Sequence, residues 1–234
     1  MLAPFILATV FFVIAGVLTY FAVKQVFKVI STVLTIIALA CAIVLFGITY
    51  DTQNFQEQLA MSVKLFVYEH DGFMAAFVHQ NKPAPLLLAD VSAEKSAFEA
   101  QNWKDLKGDR ALVFVLRREA FVEMTDVKIN GNTFQSETIL DLLEMGNPRD
   151  GYIAEVRRIT NIPPGQEVKM DAIGTNELKG ILLAALVNEY LHSQSLVRGV
   201  HDSNVDVYPS SITTWVMENV PYFLLKYILR IENA

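Results

Sequence analysis

Residues 5–23 read FILATVFFVIAGVLTYFAV and residues 29–50 read VISTVLTIIALACAIVLFGITY, with only KQVFK between them. Neither run carries a formal charge. A helix over the first run rises about 28 Å, close to the roughly 30 Å of hydrocarbon in a bilayer. The pair predicts two transmembrane spans, about 5–23 and 29–50. A connector as short as Lys24 to Lys28 permits only a tight turn, so the expected form of residues 1–50 is an antiparallel helical hairpin. Ala8, Ala15, Gly16, Ala38, Ala42 and Gly47 offer small surfaces for close helix contact. Ser31, Thr32 and Thr35 can place their hydroxyls on carbonyls of the preceding turn. A cleaved secretory signal is the competing reading of the first run, but Met1-Leu2-Ala3-Pro4 has no basic residue and the apolar core is long for a signal.

The charge distribution separates this segment from everything after it. Lys24 and Lys28 are the only charged side chains before Asp51. Taking those two from the nineteen basic residues of the chain leaves seventeen against twenty-five acidic ones, so the part after residue 50 carries about −8. Such a charge repels a phosphate backbone, and Arg117–Arg118 and Arg157–Arg158 are isolated pairs rather than a basic patch, so nucleic acid is excluded as a partner. Cys41 is the single cysteine and lies in the second run, which rules out an intrachain disulfide and a zinc–thiolate site in the acidic part. With both lysines in the turn and Asp51 and Glu57 just after the second run, the turn is expected in the cytoplasm. The N-terminus and the acidic domain are then expected on the outer face of the cell membrane. Tyr20 and Tyr50 suit the headgroup level at the two faces.

Residues 51–62 read as a helical stalk or linker, and 63–234 as a mixed α+β domain with antiparallel hairpins and a C-terminal helical part. His70-Asp71-Gly72 between KLFVYE and FMAAFVH, and Asn130-Gly131-Asn132 between Val127–Ile129 and Thr133–Phe134, are hairpin turns. Pro83-Ala84-Pro85 reads as a break. One helix is expected over Ala93–Leu106, stopped by Gly108, and a strand buried on both faces over Ala111–Leu116. Ser136 is expected to cap a helix ending at Gly146, and Tyr152–Ile159 fits either strand or helix. Ile162-Pro163-Pro164-Gly165 reads as a turn, Asn176 as the cap of a long surrounded helix to about Ser195, and Val205–Tyr208 as a strand. Tyr222–Ile231 fits a helix closing the core or one lying on the membrane, with Lys226 and Arg230 on one face.

Motifs that carry chemistry are sparse. Glu189-x-x-His192 resembles half of a di-iron site, but one copy does not make a centre. His201 and Asp202 can complete a His/His/acid set with His192, three residue types that metal ligation needs but in no diagnostic spacing. Past residue 50 the chain has neither a Gly-x-Ser-x-Gly elbow nor a glycine-rich phosphate loop. No cofactor is expected. The reading is a membrane-anchored, non-enzymatic binding or accessory subunit of the cell envelope, partnered by the lipid bilayer and by another protein or a second copy. A five-residue turn offers no cytoplasmic output, which favours an accessory subunit over a receptor. The rival is a membrane-bound hydrolase or metalloenzyme using His192, His201, Glu189 and Asp202.

Overall fold

In a computed structural model of the chain, helix α1 runs without a break from Ala3 to Met61. The structure describes residues 3–80, 82–85, 88–161, 173–192 and 195–228. The expected turn at Lys24–Lys28 is therefore not shown; those residues are helical. The cause is local: this connector holds no Gly, Pro or Asn, so nothing in it stops a helix whose backbone bonds are already propagating. The large apolar side chains from Val13 to Phe46 are exposed, and the helix is long and apolar enough to cross a membrane. Thr19, Thr32, Thr35 and Thr49 each donate to the carbonyl four residues earlier at 2.8 Å, which satisfies their hydroxyls without water.

By its internal contacts the chain divides into two compact units, Met1–Tyr50 and Asp51–Ala234. The last turns of α1 belong to the second: Phe55 is buried, and the Lys64 ammonium donates to the carbonyls of Leu59 and Ser62 at 2.5 and 3.0 Å. A cation on the orphan carbonyls of a helix end is a stop signal, and burial pushes the Lys64 amine below its ordinary value.

The second unit continues in chain order with β1 (Lys64–Glu69), β2 (Phe73–Gln80), β3 (Lys82–Pro85), α2 (Leu88–Glu99), α3 (Trp103–Lys107) and β4 (Leu112–Arg117). After a 3-10 turn over Arg118–Phe121 come β5 (Asp126–Ile129), β6 (Asn132–Gln135), α4 (Ser136–Glu144), α5 (Pro148–Thr160) and α6 (Thr175–His192). The last elements are α7 (Ser195–His201), β7 (Val205–Tyr208), α8 (Ile212–Asn219) and α9 (Tyr222–Ile228). Among the described residues the main sheet has the order β3-β2-β1-β4-β7. It is mixed: β1 lies parallel to β4, and the other neighbours are antiparallel. The unit is α+β, as the sequence predicts.

Both expected hairpins form. Asp71 and Gly72 take φ of 53° and 125°, and Asn130 and Gly131 take 50° and 81°, left-handed conformations that Asp, Asn and Gly adopt with least strain. Strand β4 is buried along Leu112–Leu116, with side chains on both faces. One face, with Leu65, Val67, Val113 and Val115, packs with Val91 of α2 and Leu106 of α3. The other carries Phe77, Phe66 and Phe114 at one register on three adjacent strands, stacked at 5.0 and 4.9 Å. Ring contacts Tyr68–Phe121 and Phe121–Tyr190 continue that face to α6.

Several boundaries differ from the expectation. Pro83–Pro85 is not a break but part of edge strand β3, the one place in a sheet where missing N–H groups cost little. The single helix over 93–106 is two, because Gln101 turns left-handed (φ 53°) and Asn102 restarts the chain by accepting from the N–H of Asp105. Ser136 does not cap α4; it is the first helical residue, and its hydroxyl donates to the carbonyl of Met124. Tyr152–Ile159 is helical within α5, which Asn147 caps ahead of Pro148. Asn176 lies inside α6, whose buried residues include Leu182, Leu183, Leu186, Val187 and Tyr190. The turn expected at 162–165 lies outside the described residues.

Candidate functional site

A cleft of about 620 Å³ opens where the segment between β4 and β5 faces α6 and α7. Glu119 and Glu123 come from the first of these, Asp126 from the start of β5, Glu189 from α6, and Asp202 is the residue after α7. Arg198 is the one cation among its described lining residues, donating to Glu123 at 2.6 Å and standing 3.5 Å from Asp202. The floor includes Tyr190, fully buried, whose phenol burial pushes up, with the Asp202 charge adding to it. Close approach of α7 requires Gly199: a Cβ there would meet the Tyr190 hydroxyl and Val205. The walls thus present carboxylates on a fixed frame, a surface that attracts cationic groups. Thr125 and Tyr190 supply the hydroxyls of its described lining, which holds no Ser, Cys or His.

The residues suggested for a metal are only partly brought together. Glu189 and Asp202 both line the cleft. The His201 ring nitrogen Nδ1 sits 2.7 Å from Asp202 Oδ1, and the ring lies edge-on to Tyr222 at 5.9 Å. The His192 side chain lies outside the described residues. Among the described residues no three His, Cys, Asp or Glu side chains converge closely enough to hold an ion. Of the interface candidates, Tyr20 and Tyr50 are exposed, with the Lys24 ammonium 6.0 Å from the Tyr20 ring centre; the Lys226 side chain and Arg230 lie outside the described residues.

Two further clusters escaped the sequence reading. At the end of β1, the Tyr68 hydroxyl donates to Glu144 of α4 at 2.7 Å, and Arg118 donates to Glu144 at 2.7 Å and to Asp141 at 2.9 Å. His70 lies 3.8 Å from the same carboxylate. Burial opposes ionisation of Glu144, but the hydrogen bonds from Tyr68 and Arg118 outweigh it and hold the carboxyl below the ordinary range. Burial and Glu144 together push the Tyr68 phenol far up, so it stays a donor. The second cluster joins α1 to α8. Asp51 accepts from both the N–H and the hydroxyl of Thr213 at 2.6 Å, and the Thr52 and Thr213 hydroxyls are 3.3 Å apart. Ser211 caps the same helix end in a reciprocal pair with Thr214. Ser211 ahead of a helical run was a legible N-cap signal, whereas its reciprocal partner Thr214 is not the Glu or Gln of the usual capping box. The partnership of Asp51 with Thr213 was not legible, since 162 positions separate them.

Fold and clefts define a mixed α+β unit preceded by a long apolar helix. No family model, no curated protein and no solved structure matches the chain.

Proposed function

We propose that the chain is a membrane-anchored, non-enzymatic binding or accessory subunit, held in the cell membrane by residues 1–50 with its acidic α+β unit on the outer face. The observation that carries this reading is the exposed apolar surface of α1 from Val13 to Phe46, which water does not stabilise and lipid does. Length then favours a fold-back. As a straight rod the run 5–50 extends about 69 Å, against roughly 30 Å of hydrocarbon. Bending at Lys24–Lys28 gives up a few backbone hydrogen bonds, each about 0.5–1.5 kcal/mol net where water can replace them. Each large side chain moved from water into lipid gains about 1.5–3 kcal/mol, and many move, so the hairpin of 5–23 and 29–50 is the favoured form in a bilayer. The acidic cleft supports the binding half of the reading, because its carboxylates suit a cationic segment of a partner.

Topology tests it. In a Cys41→Ser background, Gln25→Cys is expected to react with a membrane-impermeant maleimide in inverted vesicles only. A reporter that works only outside the cytoplasm is expected to be active when fused after Ala234. Labelling from the outer side, or an inactive fusion at normal expression, overturns the arrangement.

Glu189 and Asp202, which line the same cleft, carry the metalloenzyme as the second reading. It requires stoichiometric bound metal in protein purified in mild detergent, lost in a His192→Ala, His201→Ala double variant. The expected result is no stoichiometric metal in either, and metal lost in the variant would replace the binding reading with the enzymatic one.

A further inference from the structure

Helices α8 and α9 leave four large apolar side chains uncovered: Ile212, Trp215, Phe223 and Leu224, exposed by 48%, 58%, 65% and 40%. Both helices are nonetheless anchored from their other sides, α8 through buried Val216 and Met217 and α9 through buried Leu225. Trp and Phe left outward on secured helices mark a surface that another apolar phase covers. The position of α8 identifies that phase. Its first turn is clamped by Asp51 through two 2.6 Å bonds to Thr213, and Asp51 directly follows Tyr50, the last residue of the apolar run. Trp215 stands two residues beyond Thr213, about 3 Å along the helix axis.

We propose that α8 and the start of α9 rest on the surface of the bilayer that α1 enters, with Trp215 and Phe223 at headgroup depth. The proposal rests on the membrane reading of residues 1–50 and adds a second, peripheral contact to it. Asp51 follows the apolar run directly in the chain, and its two bonds to Thr213 keep the first turn of α8 within hydrogen-bond reach of the residue at which that run ends. An indole, with an apolar body and one N–H donor, is the side chain most suited to that depth.

Full-length protein reconstituted into phosphatidylcholine vesicles tests this, with bromine on the acyl chains either next to the headgroup or near the bilayer centre. Tryptophan emission is read for the natural chain and for Trp215→Phe. Trp103, packed against Phe98 and Tyr208, supplies the background in both. Headgroup-proximal bromine is expected to quench the natural chain strongly and central bromine weakly, and Trp215→Phe is expected to lose the quenched component. Equal emission changes in the two proteins, with both retained on the vesicles through an alkaline wash, would overturn the docking and leave the anchor standing. Release by the alkaline wash would overturn both.

Discussion

Replacing Phe66 by alanine is expected to destabilise the α+β unit by about 3–5 kcal/mol, the range for truncating a large buried aromatic. Phe66 is fully buried and stacks on Phe77 to one side and Phe114 to the other, so the deletion opens a void at the centre of three strands. Each lost ring pair adds roughly 0.5–1.5 kcal/mol beyond the area term. The neighbours cannot close the gap, because β1 is paired on both sides and its backbone spacing is fixed by the ladders to β2 and β4. Against a typical total of about 5–15 kcal/mol, this removes a large share of the margin. Phe66→Leu keeps most of the volume and is expected to cost about 1.5 kcal/mol or less. Urea unfolding of the full chain in mild detergent, followed by near-ultraviolet circular dichroism, measures both. A loss below about 1 kcal/mol for Phe66→Ala would show that the stack does not organise the core.

The second large effect concerns Glu144 and depends on pH. Glu144→Ala strands the hydroxyl of the fully buried Tyr68 without its acceptor and removes one of the carboxylates that hold Arg118. A buried donor left unpaired costs about 1–3 kcal/mol, and the charge-assisted bond to Arg118 adds to it. Tyr68→Phe removes the hydroxyl with its need and is expected to cost less, about 1 kcal/mol. The folded state holds the Glu144 carboxyl below its unfolded value. Its contribution is therefore complete above the ordinary carboxylate range, near pH 4–5, and is lost as pH falls through the depressed folded value. The stability gap between the natural chain and Glu144→Ala should be widest at neutral pH and shrink as pH drops below about 4. A gap independent of pH would mean that the Glu144 charge contributes nothing and only its packing matters.

Some of this architecture is written in short stretches of sequence. Asp71-Gly72 and Asn130-Gly131 specify their turns because few residues tolerate positive φ, and that preference acts within four residues. The unbroken apolar run of β4 requires burial on both faces wherever the strand ends up, and the all-round apolar middle of α6 requires the same. The charge-free runs 5–23 and 29–50 make a helix long and apolar enough to cross a membrane. They do not by themselves contain the turn between them: with no breaker in Lys24–Lys28 the local preference is to continue the helix, and only the thickness of the surrounding phase can oppose it.

What only the tertiary structure decided is everything that joins distant positions. The cleft draws its carboxylates from 119–126, 189 and 202, and no periodicity connects those segments. Tyr68 and Glu144 are 76 residues apart, and Asp51 and Thr213 are 162 apart. The sequence showed each as an ordinary polar residue in an acidic chain. Their pairing follows from the order β3-β2-β1-β4-β7 and from where the helices return to the sheet. Local propensity cannot encode such contacts, because their free energy is gained only after the loop between the partners has closed and other contacts have offset the entropy of closing it.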